Sequence, residues 1–585
     1  MQKRLLLSLL IGWLIAHRVT AQSQGVYIPL NADSYHLIER YEIRSGTSGP
    51  GFHSQVKPYL RRPVVRMAER LLADGQEPPF KSLATAQSVS APQPEPLQLS
   101  ETDRFNLNYL RNDSWEWASD SSTADSKQPL FNALYRKQTD LFYIKNRDFE
   151  IHLNPVFYGA TGFGQDVPGR TFINTRGIEV RGSIGQKLSF YTFMTDTQLR
   201  LPGYFTDRVK YFNALPGEGF FKKFKGQPDS FDFFTARGYI AFDPIKQINL
   251  QFGHDKVFIG NGYRSVILSD YSAPFLFLKV TTQLGRFQYQ NLFAEIINSQ
   301  RTLPYGTLPP KKFLAFHHLS VNLGQKQNFN FGVFEAIIHS RDKSQGYFDV
   351  SYLNPVIFYR AIEGQKNSPD NALLGFDFRW NFMRRFSLYG QAMLDEFILS
   401  DVRAGRGSWT NKFATQVGLK YIDVLGVPNL DLQGELNIAR PYTYQHIADL
   451  TNYVNQNMPL AHPLGANFIE FVGTARYQPR PRLSLTATFV GAQYGADRPG
   501  QNWGGNPLLN YTSRQKDTYN QIGQGRTTNL TMLDAVVSYQ VKHNFFVDFR
   551  QILRTQDAAG TSADRRSSFT SIALRLNIAQ RNLAF

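Results

Sequence analysis

Residues 253–275 read GHDKVFIGNGYRSVILSDYSAPF and lie between two stretches that alternate like β-strands. A tight hairpin uses roughly two to five residues, and longer loops are functional or disordered. Asp255, Lys256, Arg264 and Tyr271 offer hydrogen bonds to hydroxyl groups and an aromatic face for stacking, which are the contacts a sugar needs, and Asp270 adds an acceptor. Gly260 and Gly262 permit tight backbone turns. The same residues also suit a loop that folds inward and constricts a lumen with its charges paired to each other. Catalytic readings find less support. His254–Asp255 and Ser269–Asp270 lack a third member, and "GNG" (260–262) and "GQG" (523–525) are too short to cradle a phosphate. His317 and His318 are adjacent in a strand and point to opposite faces. There is no HExxH, no Cys/His spacing and no cysteine. The expectation is a non-catalytic protein with neither cofactor nor metal.

The elements that must position these side chains announce themselves by period. "LDLQGELNI" sets Leu430, Leu432, Gly434, Leu436 and Ile438 against Asp431, Gln433, Glu435 and Asn437. "FDFRWNF" sets Phe376, Phe378, Trp380 and Phe382 against Asp377, Arg379 and Asn381. "MLDAVVSYQV" behaves in the same way around Asp534. Alternation sustained over such lengths matches strands that cross a bilayer obliquely, with polar residues turned to a watery lumen. From about residue 148 onward, eight short turns lie near 185–187, 244–247, 284–286, 324–327, 383–385, 426–429, 479–482 and 541–543. Nine longer segments alternate with them, at roughly 161–171, 198–230, 254–274, 297–311, 339–369, 397–411, 441–466, 494–530 and 555–567. The fold class is an all-β transmembrane barrel of about 18 antiparallel strands with both ends on the short-turn, periplasmic side. Phe585 is the residue type that commonly closes such barrels.

The N-terminus is different. Lys3 and Arg4 precede an apolar run and a small-residue site at Val19 and Ala21, so residues 1–21 read as a secretory signal peptide. Residues 22–135 form a helical periplasmic, plug-like region. In it "PVVRMAERLLADG" places Pro63 in a first turn and Gly75 at an exit. "SETDRFNLNYL" opens with Ser100 and Asp103 as a capping box, and a Pro/Ser-rich linker covers 77–98. The barrel then spans 136–585, with a short strand in 136–147 leading into the wall. Charged residues make up 19% and aromatics 14%, and mean hydropathy is −0.35, in keeping with strands whose unlike faces average out. The net charge of +17 falls by three when Lys3, Arg4 and Arg18 leave with the leader. Export argues against nucleic acid as the partner of this basic chain; outer-membrane lipid, lipopolysaccharide phosphates and acidic polysaccharides remain.

"FGHDKVFIGNGYRSVILSDYSAPFLFL" (252–278) resembles the matching segment of the Wzi-type capsule-assembly family. "YLNPVIFYRAIEGQKNSPDNALLGFDF" (352–378) and "RRFSLYGQAMLDEF" (384–397) resemble related gliding-motility proteins of the RemB type. The resemblance implies an eighteen-stranded outer-membrane barrel with a periplasmic helical element. It also implies a role either in binding exported polysaccharide or in motility and adhesion, with motility or secretion-machinery proteins as partners. The 352–397 stretch leans toward the motility branch. Tyr359, Arg360 and Glu363 are then expected to share one mouth-lining, ligand-binding surface with Asp255, Lys256, Arg264 and Tyr271. A porin-like channel for small solutes is the alternative function.

Overall fold

The structure is a computed structural model that describes residues 25–47, 52–74, 97–122, 125, 135, 137–185, 187–227, 229–298, 309–341, 347–355, 358–359, 368–560 and 564–585. The leader, Gly75, most of the Pro/Ser-rich linker, Arg360 and Glu363 lie outside the described residues. No described helix is long and apolar enough to cross a membrane.

The wall begins with β1 (Phe149–Gly164), β2 (Val167–Ile184), β3 (Leu188–Arg200), β4 (Phe231–Ile245), β5 (Ile248–Asp255) and β6 (Phe275–Leu284). It continues with β7 (Phe287–Ile297), β8 (Lys311–Leu323), β9 (Phe329–His339), β10 (Asn371–Phe382), β11 (Phe386–Glu396) and β12 (Lys412–Tyr421). β13 (Leu430–Ala439), β14 (Phe468–Arg480), β15 (Leu483–Ala496), β16 (Arg526–Lys542), β17 (Phe545–Ala558) and β18 (Arg565–Leu576) complete it. Each strand pairs antiparallel with the next, and β18 closes the barrel on β1 from Phe569↔Gly164 to Leu576↔Phe157. The part of β1 below that seam pairs instead with the short strand Phe142–Lys145. The eighteen-stranded barrel expected from the sequence is present, and its short turns fall where they were expected. One segment departs from that reading. Residues 161–171 are not a long loop, because β1 and β2 extend through them and leave only 165–166 between the strands.

The side-chain period turns the wall inside out relative to a soluble sheet. On β10, Asp377, Arg379 and Asn381 are buried while Phe376 and Trp380 are exposed on the outer face. A charge such as Arg379 on the lipid face would cost about 2–4 kcal/mol at the bilayer midplane, so the polar set turns inward. β13 follows the same rule, with Asp431, Glu435 and Asn437 buried and Leu432 and Leu436 exposed.

The lumen is filled from both ends. Helices α1 (Ser34–Ser45), α2 (Arg61–Asp74) and α3 (Glu101–Asp113) pack through Ile38, Tyr41, Val64, Ala68, Leu71 and Leu107. α3 starts with the expected capping box: Ser100 Oγ accepts from Asp103 N, and the Asp103 carboxylate accepts from Ser100 N. Asn106 reaches Gln478 at 2.7 Å and Asp113 reaches Asn544 at 2.9 Å, both beside short turns, so the helices form a floor at the periplasmic end. From the mouth side come α4 (Gly203–Phe212), the 441–466 loop and the whole of 256–274. The last residues do not close the barrel as terminal strand. β18 stops at Leu576, and residues 577–585 run back into the lumen, where Phe585 packs against Phe205 and Tyr271.

Candidate functional site

The loop that raised the question of function is an inward one. Lys57↔Phe258 and Val56↔Ile259 form a two-stranded ribbon between the floor segment and the loop, and Gly260 N donates to Gln55 O at 2.6 Å. Gly260 turns with φ +130°, a conformation open to glycine. Gly262 has a different reason to lack a side chain, because a Cβ there would meet the Glu435 carboxylate at 2.4 Å. That carboxylate stands on the lumenal face of β13. It accepts the consecutive backbone N–H groups of Tyr263 (2.7 Å) and Arg264 (3.0 Å), together with the Tyr389 hydroxyl (2.8 Å).

Arg264 then reaches Glu470 on β14 at 3.1 Å and donates to the Ala584 carbonyl, while His462 shares the same carboxylate at 2.7 Å. Burial opposes the charge on Arg264, but Glu470 outweighs it and holds the guanidinium pKa above its ordinary value. Lys256 donates to the Asp270 carbonyl at 2.9 Å. Burial pushes the Lys256 pKa down, with Glu218 and Asp270 pulling the other way. The Tyr271 hydroxyl accepts from Arg208 Nε at 2.7 Å, and burial pushes its pKa up. Asp255, at the end of β5, caps Lys256 N at 2.9 Å and stands 3.9 Å from Arg237.

Tyr359 is elsewhere. Its hydroxyl meets His317, and its backbone N–H, like that of Phe358, donates to Glu335. The strand neighbours His318 and Phe334 face the lumen, so His317, Glu335 and the chain around Tyr359 lie on the outer face of the wall. Tyr352 and Tyr359 pack there on Ala315 and Ile337. The expected surface shared by Tyr359 and the 254–274 residues is therefore not formed, because the wall separates them.

Among the described residues two cavities, of about 230 and 380 Å³, lie in the lumen. They share Asp33, Tyr109, Tyr263, Asp270, Arg581 and Asn582, so they are neighbouring halves of one polar chamber. The tail divides it: Asn582 accepts from Tyr263 at 3.2 Å, the Arg581 carbonyl accepts from Arg550 at 2.8 Å, and the Leu583 carbonyl from Tyr204 at 3.1 Å. The chamber is rich in donors, acceptors and aromatic rings, which suits a polyhydroxylated ligand. Among the described residues no three His, Cys, Asp or Glu side chains converge to hold a metal ion. Sequence reasoning missed the wall carboxylates Glu435 and Glu470 as partners of the loop. Their inward register on β13 and β14 was the available signal.

Three comparisons bear on identity. The family model described as capsule assembly protein Wzi matches residues 169–549. Among solved structures, Wzi from Escherichia coli, described as an outer membrane protein involved in group 1 capsule assembly and a carbohydrate-binding β-barrel, shares 14% identity at a TM-score of 0.53. That likeness covers 95% of this chain and 100% of the Wzi chain. OprD from Pseudomonas aeruginosa follows at 9% identity and a TM-score of 0.41, over 73% of this chain and 95% of its own. OccAB2 from Acinetobacter baumannii is similar at 9% identity and 0.40, over 74% and 99%. No curated protein matches the sequence. With a matched span that covers most of the barrel and a closed eighteen-stranded wall, the chain is an outer-membrane β-barrel that belongs to the Wzi capsule assembly family.

Proposed function

We propose that this protein binds surface polysaccharide at the outer membrane without catalysis and without serving as an open pore. The observation that carries the reading is the filled lumen. A porin-like conduit needs a water path from mouth to periplasm, whereas among the described residues the floor helices, the 256–274 loop and the tail meet inside the barrel beside the polar chamber. The description of the Escherichia coli relative as carbohydrate-binding points in the same direction. Outer-membrane lipid is the partner of the apolar wall face. Motility and secretion-machinery partners rest on the resemblance of residues 352–397 alone, and no contact among the described residues calls for them. The test is a calorimetric titration of the purified barrel with polysaccharide extracted from the surface of its own cells. Saturable binding supports the reading. Absence of binding, with the barrel folded, overturns it.

A further inference from the structure

Most lumenal guanidinium groups meet a carboxylate: Arg379 meets Glu42, Arg550 meets Asp534, Arg575 meets Asp548 and Arg264 meets Glu470. Arg554 breaks the pattern. It faces the lumen four residues before the outer end of β17 and is 8% exposed. One of its nitrogens donates to Gln556 at 2.9 Å, while Nε and Nη1 are buried without a hydrogen-bond partner. Its guanidinium lies 4.8 Å from the centre of the Tyr204 ring on α4. One turn along the same helix, Arg208 is close enough to repel it. Arg208 is held by the Tyr271 hydroxyl and the Pro463 carbonyl and lies over the Phe585 ring. Neither arginine has an ion-pair partner among the described residues. A buried guanidinium with two unpartnered nitrogens, beside the half-buried cation of Arg208, is costly unless an anion joins them. A guanidinium fork is the group best shaped to receive a carboxylate.

We infer that Arg554 and Arg208 form an anion subsite that takes the carboxylate of an acidic sugar, with the Tyr204 ring holding the Arg554 guanidinium in place. This inference rests on the glycan-binding reading and narrows it to acidic glycans. A competing arrangement is internal. Asp166, whose charge reaches Arg554, is bonded by Ser567 and lies 3.7 Å from Arg565, yet one of its oxygens also lacks a partner. If Arg554 instead closes onto Asp166, it is a structural ion pair.

Arg554→Met separates the two. The probes are glucuronate oligosaccharides and neutral glucose oligosaccharides of equal length, titrated into the full-length barrel in detergent, with thermal melting measured on the empty protein. An anion subsite requires R554M to lose about tenfold or more in affinity for the acidic probe, to bind the neutral probe as wild type does, and to melt above wild type when empty. Unchanged acidic affinity overturns the subsite while leaving glycan binding intact. Failure of wild type to bind either probe overturns the glycan assignment and this inference with it. A lower melting temperature, or failure of R554M to assemble, marks the internal pair and also overturns the subsite.

Discussion

A buried guanidinium sets the terms for whatever surrounds it. At Arg264 those terms are met by Glu470, His462 and the Ala584 carbonyl, so this side chain joins loop, wall and tail. Breaking a buried pair from one side leaves an uncompensated charge and costs about 3–5 kcal/mol. Arg264→Met is therefore expected to lower the denaturation midpoint and to open the 256–272 backbone to protease in the purified barrel. Pairing it with Glu470→Gln should recover part of that loss. The type of residue at 264 was legible in the sequence, but its destination was not, because Glu470 lies 206 positions away and nothing local distinguishes an inward loop from an outward one. The same limit applies to Tyr359, which looks like a mouth residue until His317 and Glu335 place it on the outer face.

Elements were easier to read than residues, for a physical reason. A strand between lipid and water must alternate, and Asp377, Arg379 and Asn381 record that alternation in one short stretch. The helix start at Ser100 was equally local, since its cap is made by Asp103 three residues on. What the floor does after it folds depends on distant charges. Glu39 on α1 bonds Lys57 and Lys420, each at 2.6 Å. Burial raises its pKa, but the two ammonium groups outweigh burial and hold the carboxyl well below the usual range. Burial, with His318 and Arg379 nearby, lowers the His53 pKa to about 3. Both depressed values act with the same sign. The unfolded histidine takes up a proton near pH 6.5 and the unfolded glutamate near about 4.3, while the folded groups resist, so stability is lost as pH falls. The floor should thus loosen first below about pH 6.5 and more steeply below about pH 4.3, as measured by amide exchange of residues 34–45. A floor whose protection is flat from pH 7 to pH 4 would contradict this.

At the scale of the whole molecule, a wide barrel is filled from both ends by its described residues. Eighteen strands leave room for a channel, yet among the described residues the floor helices, the inward loop and the 577–585 tail meet through specific bonds around a divided polar chamber. The count of strands and the helical floor were readable from turn spacing and capping. The returning tail was not, because a final Phe585 looks the same in sequence whether it ends a strand or packs on Phe205 and Tyr271. The central claim is that this barrel holds a ligand and does not conduct, and planar-bilayer conductance of the purified protein tests it most directly. Wild type should insert without steady ionic current. Steady, porin-sized conductance from the intact wild-type protein would contradict the account.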